Sequence, residues 1–340
     1  MAYGSKSSHE LIFPATFALI LCFFYLTYDI FPGPEFMFLC LLIYAMYNKC
    51  SRRFVKDWFP FAALFLSYET LNRFVGSIPR AVHIEEPIMA DLKLFGVVPT
   101  LSLQHLYRAP ALDYLGVAFY SLHFIAPTIF AFVLWKYKSS EYSKYTLAFM
   151  VCTYSALITF LVYPVAPPWF GVKATRIIFQ VDNNLGVPIY KTVFDYIQPN
   201  LFAAFPSLHA AYPWLISLYT FKIWRKKALP ILLFPTSIWF SAVYLGEHYV
   251  VDIIGGVAYA TLAFLVVEKL CTKHALTKVL NQKSIENLLT NILKVRIPRV
   301  LKFHEKRCLT VDLNFYKEGI REDEKILYKS ASLYMVRLLT

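Results

Sequence analysis

Charged side chains are scarce in this sequence. Asp, Glu, Lys and Arg make up 16% of its 340 residues, where a soluble domain carries about a quarter. Hydrophobic types reach 58% and the mean hydropathy is +0.49, which excludes an ordinary soluble globule and puts the chain in the membrane class. Acidic residues are fewer than basic ones, 22 against 34, for a formal net charge of +12. The positive residues sit between apolar segments, the pattern of cytoplasmic loops, so no nucleic-acid partner is implied. Cys22, Cys40, Cys50, Cys152, Cys271 and Cys308 contain no C-x-x-C pair, and three lie inside apolar segments. They read as packing residues, not as a disulfide framework or a zinc site. A small-residue cleavage site is also missing after the first apolar stretch, which therefore reads as a retained helix and not a signal peptide. No internal repeat or low-complexity tract stands out.

What is abundant is aromatic and apolar. Aromatics reach 18%, with 24 Tyr and 30 Phe, suiting a protein with much surface at lipid interfaces. A bilayer core of about 30 Å needs roughly 20 apolar residues in a helix. Candidate spans cover residues 11–30, 36–47, 58–74, 112–135, 145–163, 208–221, 229–245 and 250–267. The expected fold is an all-α, polytopic membrane helical bundle of six to eight transmembrane helices. Basic clusters follow the second span (Lys49, Arg52, Arg53, Lys56), the fourth (Lys136, Lys138, Lys144) and the sixth (Lys222, Arg225, Lys226, Lys227). The short connection at 31–35 has no basic residue, and the loops 76–111 and 164–206 are long, mixed in sign and rich in Pro and aromatics. Eight spans with both termini in the cytoplasm satisfy every cluster and put the two long loops outside the cytoplasm. The expected division is N-terminal transmembrane helices at 1–57, a catalytic membrane domain at 58–270 and a basic cytoplasmic tail at 271–340. In the tail, Ile285, Leu288, Leu289, Ile292 and Leu293 recur at helical spacing. The amphipathic helix they imply lies on the anionic inner leaflet or packs on the cytoplasmic ends of the bundle.

The chemistry concentrates between Phe205-Pro206-Ser207-Leu208-His209 and His248-Tyr249-Val250-Val251-Asp252. His209 opens the sixth span and His248 sits at the turn entering the eighth, both on the expected outer side. His248 and Asp252, four apart, share one helix face, and ionisable groups at membrane depth are functional candidates by default. An imidazole can attack phosphorus and carry the phosphoryl group covalently. A carboxylate on its other ring nitrogen fixes the tautomer, and a second histidine serves as acid and then base. Ser207 with neighbouring backbone N–H groups can hold phosphate oxygens; the plainer reading is an N-cap after Pro206. Singly, each residue has such a bland alternative, a packing histidine or an interfacial cap. Together, with shared sidedness and spacing, they favour the catalytic reading.

This stretch resembles the type 2 phosphatidic acid phosphatases and related lipid phosphotransferases. Their Pro-Ser-x-His signature matches Pro206-Ser207-Leu208-His209. Their Ser-Arg-x5-His-x3-Asp signature matches the spacing of Ser241 to Asp252, with Ala242 in place of the Arg. The signature ending in Arg-Pro is missing, because that dipeptide occurs nowhere in the chain. Both departures point away from a plain phosphatase site. The branch containing inositol phosphorylceramide synthase is the more similar, through Tyr244-Leu245 before His248-Tyr249, Ala166-Pro167-Pro168-Trp169, and His123-Phe124. The resemblance implies a six-helix phosphatase-type core. It also implies His248 as nucleophile, Asp252 as its orienting partner and His209 as acid and base, with no cofactor and no metal. A cation must still neutralise the phosphate. Arg73 is the first candidate, followed by Arg80, Arg176 and Lys173, with snorkelling as the alternative for Arg73. His123, mid-helix, reads as a satisfied core histidine.

The leading expectation is a membrane-embedded transferase acting on lipid substrates. It would move a phospho-headgroup, phosphoinositol being one option, to a lipid hydroxyl at the extracytoplasmic or lumenal side through a phosphohistidine-type intermediate. A lipid phosphate or prenyl pyrophosphate phosphatase using the same site is the alternative. A catalytically inactive lipid transporter is the third reading, and no pair of related halves with interrupted helices speaks for it.

Overall fold

The structure is a computed structural model and describes residues 34–272. The expected span at 11–30 and the expected tail helix at 285–293 lie outside the described residues. The chain runs through α1 (Pro34–Tyr47), α2 (Ser51–Ser77), α3 (Glu85–Phe95), α4 (Pro99–Leu106), α5 (Pro110–Tyr137), α6 (Ser139–Val162), α7 (Pro168–Gly171), α8 (Ile177–Leu185) and α9 (Ile189–Ile197). It continues with α10 (Leu208–Trp224), a 3₁₀ segment (Arg225–Leu232), α11 (Leu233–Tyr244) and α12 (Val250–Thr272). Among the described residues the only β features are two isolated bridges, His83 to Val165 and Val165 to Ala203. The all-α membrane bundle expected from the sequence is the architecture observed.

Local chemistry sets many of the boundaries. Proline stands at the first turn of α4, α5 and α7, where its missing N–H has no helical acceptor to lose. Gly96 and Gly186 end α3 and α8 with φ of 74° and 66°, the left-handed cap that glycine adopts without steric cost. Four stretches are long and apolar enough to cross a membrane: Pro110–Tyr137, Ser139–Val162, Leu208–Tyr244 and Val250–Thr272. The third does not cross as one rod. Arg225, with φ 53°, reverses the chain. Trp239 Nε1 then donates back to the Ala210 carbonyl at 3.2 Å, and the Trp214 and Trp239 rings pack 5.8 Å apart. That hairpin separates the spans expected at 208–221 and 229–245. Helix α2, at 27 residues, is about 40 Å long, but carries Glu69 and Arg73 in its second half.

Small residues let the helices close. Ala148, Cys152 and Ala156 on α6, four apart, are all fully buried, the small-residue stripe on which membrane helices approach each other. Large aromatics fill the rest: Phe61 and Phe149 stack at 5.3 Å, and Tyr145 meets Tyr219 edge-on at 5.5 Å.

The bundle has two chemically different ends. At one, Lys222 of α10 donates to Glu141 of α6 at 2.6 Å and to Glu268 of α12 at 2.7 Å, and Trp135 of α5 donates to Asp57 of α2 at 2.9 Å. His209 is thirteen residues before Lys222 on α10, about 20 Å along the axis, so the histidines occupy the other end. There the two long connections are folded into α3–α4 and α7–α9. They were expected as loops because a search for 20-residue apolar runs passes over helices of four to eleven residues. Backbone pairing joins them: Val165 N donates to the Phe202 carbonyl, and Ala166 N to that of His83, at 2.9 and 3.0 Å.

Candidate active site

The site is assembled where α10 begins, α11 ends and α12 begins. Leaving α11, the chain turns at Gly246, whose φ of 85° suits glycine and whose Cβ would stand 2.7 Å from the Thr175 carbonyl oxygen. Glu247 and His248 both donate their N–H to the Ala242 carbonyl at 3.1 Å, folding the turn back on α11. Helix α12 then starts under two caps. Asp91 of α3 accepts the N–H of Val250 at 3.1 Å and of Val251 at 3.0 Å, and Asp252 accepts that of Tyr249 at 2.9 Å. Burial pushes the Asp91 carboxyl up, against the two N–H donors that favour its ionised form.

Helix α10 meets α12 at backbone contact. A Cβ on Gly256 would lie 2.2 Å from the Ser207 carbonyl oxygen, so only glycine permits this approach. Ser207 N donates to the Asp252 carbonyl at 3.0 Å. The consequence is a line of side chains. His209 Nδ1 and His248 Nε2 are 3.0 Å apart, and His248 Nδ1 is 3.5 Å from Asp252 Oδ2. Asp252 is fully buried and His248 is 4% exposed. His209 Nε2, His248 Nδ1 and Asp252 Oδ1 are buried with no hydrogen-bond partner.

The structure therefore brings together His209, His248, Asp252 and Ser207. Ser207 is the N-cap of α10, its Oγ accepting Ala210 N–H at 3.3 Å, and its own O–H remains available to donate. Arg176 lies beside this group. Its Nε and Nη2 donate to Glu247 at 2.7 and 3.1 Å, and the Trp169, Phe179 and Phe194 rings surround its guanidinium at 4.5 to 4.7 Å. Trp169 Nε1 is buried without a partner. The remaining cations are elsewhere. Arg73 is exposed on α2, in a cleft of about 330 Å³ with Glu69, Thr70, Phe74 and Ser77. Lys173 is exposed. Arg80 binds backbone carbonyls at the ends of α2 and α6, those of Ile78 and Phe160 at 3.2 and 3.1 Å and also those of Val75 and Leu161. It acts as a shared C-cap.

Glu247 and Asp91 have no part in the expectations from sequence, and His123 has only a structural one. Glu247 was passed over as a spacer in the signature. Asp91 carried no signal beyond being one more charged residue alongside Glu85, Glu86 and Lys93 in a long connection. His123, read as a core residue, is buried among the site histidines. The signal for it was faint: Asp113, Val117, Tyr120, His123, Pro127 and Ala131 fall at three- and four-residue spacing on the buried face of α5.

A model of the PAP2 superfamily matches residues 88–266, more than half the chain and the whole of this constellation. The chain belongs to the PAP2 superfamily. It is a multi-pass membrane enzyme of that superfamily's phosphotransferase type. Among curated proteins it is similar to the phosphoinositol dihydroceramide synthase of Bacteroides thetaiotaomicron, 25% identical over 239 residues covering 64% of this chain and 78% of that one. It is also similar to the inositol phosphorylceramide synthase catalytic subunit aur1 of Schizosaccharomyces pombe, 26% identical over 166 residues, 44% of this chain and 38% of the other. The Candida albicans inositol phosphorylceramide synthase is 25% identical over 156 residues, 42% and 33% of the two chains. The matches thus span well under half the length of these fungal relatives. No solved structure matches. Arg73 and Arg80 fall outside the matched range, and Arg176 falls within it.

Proposed function

We propose that this enzyme transfers phosphoinositol from an inositol phospholipid to the hydroxyl of a ceramide-type lipid, at the extracytoplasmic end of the bundle. The observation that carries the reading is the line His209–His248–Asp252, ending in buried, unpaired polar atoms. A phosphate held between the imidazoles would lie against their facing nitrogens, His209 Nδ1 and His248 Nε2, which are 3.0 Å apart. His248 Nε2 attacks phosphorus and the P–O bond to the diacylglycerol oxygen breaks, that oxygen taking a proton from His209. The acceptor hydroxyl then gives its proton to His209 and attacks the phosphohistidine. The N–P bond breaks and His248 is regenerated. Asp252 holds His248 in the tautomer with Nδ1 protonated and steadies its positive charge. Ser207 O–H and the first N–H groups of α10 meet the non-bridging oxygens.

The missing signature cations bear on the clamp. Ala242 is fully buried where the Ser-Arg signature has its Arg. Arg176, one residue's reach from His248 through Glu247, is our choice for the compensating cation. The names of the relatives, all concerned with inositol phosphoryl transfer to ceramide-type lipids, support the headgroup. The family match supports placing the catalytic domain within 58–270, with 1–57 and 271–340 flanking it.

The test is the purified chain in mixed micelles with phosphatidylinositol and a fluorescent ceramide. The expected product is a phosphoinositol-ceramide that His248→Ala abolishes. Release of free inositol phosphate or inorganic phosphate in place of that product would convert the reading to a hydrolase. Unchanged turnover in His248→Ala would remove the covalent mechanism altogether.

A further inference from the structure

The transfer steps leave one buried charge at the same turn without a part. Glu247 stands directly before His248 in the chain and is 8% exposed. A carboxylate beside a phosphate-binding centre repels the substrate, so its presence there needs a reason. Its partner is Arg176, whose Nε and Nη2 donate to the two carboxylate oxygens at 2.7 and 3.1 Å. That two-pronged contact is the strong form of an ion pair.

Backbone contacts tie this pair to the catalytic turn. Trp169 N donates to the Gly246 carbonyl and Ile177 N to that of Leu245, each at 3.2 Å, so the segment carrying Arg176 is fastened to the turn carrying Glu247 and His248. Gln104 of α4 adds a second tie. Its Nε2 donates to the carbonyls of Thr175 and Tyr244 at 2.8 Å, and its Oε1 accepts the Thr175 N–H at 2.9 Å. On the other side, Tyr120 of α5 stacks on the His209 ring at 4.2 Å and lies within electrostatic reach of both Glu247 and Arg176. The pair and the two reacting imidazoles share one cluster.

Charge arithmetic gives the pair a meaning. Ala242 takes the place of the signature Arg, and that positive charge is missing. Arg176 restores its sign but comes with Glu247, and the two sum to zero. Of the five guanidinium N–H groups, two are engaged by the carboxylate and three remain for phosphate oxygens. Donors are kept while net positive charge is not. A phosphate diester carries one negative charge; a monoester approaches two above its second ionisation, near pH 6. Charge stabilisation of the second demands more than a neutral pair offers.

We infer that the Arg176–Glu247 pair sets the charge class of the substrate: it offers N–H donors without net positive charge, and so admits a singly charged phosphodiester lipid while disfavouring a doubly charged phosphomonoester. This rests on the phosphotransferase reading above and names the residues that keep that site from acting on lipid monophosphates.

The experiment separates charge from shape. Glu247→Gln keeps the size and an acceptor for Arg176 but removes the negative charge; Glu247→Asp keeps the charge. Both are made in the full chain and assayed at pH 8.5 with phosphatidylinositol and fluorescent ceramide, with phosphatidate added as competitor. The quantity read is the inhibition constant of phosphatidate divided by the KM for phosphatidylinositol, which a loss of active enzyme does not move. The inference expects Glu247→Gln to lower this ratio by roughly tenfold or more and Glu247→Asp to stay near the parent. A parental ratio in Glu247→Gln, whatever its turnover, would overturn the inference and leave an ion pair that only holds the turn; equal shifts in the Gln and Asp variants would overturn it as well. Should Glu247→Gln fail to fold, as judged by elution and thermal unfolding, Glu247→Met against Glu247→Asp carries the same comparison. His248→Ala in the same assay separates the two levels. If it is inactive and Glu247→Gln keeps the parental ratio, only the role of the pair falls; if it is active, the underlying mechanism has failed first and the inference falls with it.

Discussion

At the scale of single residues, Asp252 shows how one carboxylate serves two demands. Its Oδ2 accepts the Tyr249 N–H at 2.9 Å and also faces His248 Nδ1 at 3.5 Å. The first is a capping contact that an amide oxygen can also make. In the proposed mechanism the second depends on charge, because it steadies an imidazole that becomes positive on bonding to phosphorus. Asp252→Asn is therefore expected to leave thermal stability near that of the parent and to lower kcat by roughly 10²-fold or more. Measuring both on one preparation checks it: a variant that unfolds early yet keeps its specific activity would make Asp252 a structural cap only. Arg80 shows the reverse case. It was a candidate phosphate ligand on charge alone, and its guanidinium is occupied by backbone carbonyls.

At the scale of elements, the start of α12 is where fold and chemistry meet. A helix begins with N–H groups that have no partner in the helix. Here Asp91, from a separate short helix 159 residues away in sequence, accepts the N–H of Val250 at 3.1 Å. The first turn of the helix bearing Asp252 is held from outside. Asp91→Ala is expected to cost about 1–2 kcal/mol, seen as a lower midpoint in detergent unfolding, with a loss of turnover as the His248 turn loosens. An unchanged midpoint would show that Asp252 alone suffices as a cap. The close approach at Gly256 makes the same point. Helix α10 is placed by contact with α12, not by its own sequence.

At the scale of the whole molecule, the two ends of the bundle carry different charge. The end with Lys222, Glu141, Glu268 and Asp57 adjoins the basic clusters in sequence, and the histidine end has α3–α4 and α7–α9 folded over it. Basic loops are retained in the cytoplasm, so single cysteines placed at Lys227 and at Lys173 are expected to react with an impermeant thiol reagent from opposite sides of sealed vesicles. The background needs its native cysteines replaced. Labelling of both from one side would reject the proposed orientation and with it the extracytoplasmic site.

The sequence by itself determined the membrane class, the alternation of apolar spans with basic connections, and the trio His209, His248 and Asp252. Those are local properties: hydropathy over about 20 residues, charge between runs, and a four-residue spacing that one helix turns into one face. The chain reversal at Arg225 was legible in the same way, as a basic break between two apolar runs. Only the tertiary structure decided which neighbours the faces meet. It put His123 against His209, Asp91 under α12, Glu247 on Arg176 and Arg80 on the ends of two helices. Helical period tells which residues share a face but not what that face packs against, and short helices in a connection leave no long apolar run to find. Those placements are settled by contacts between segments dozens of residues apart, which no local pattern encodes.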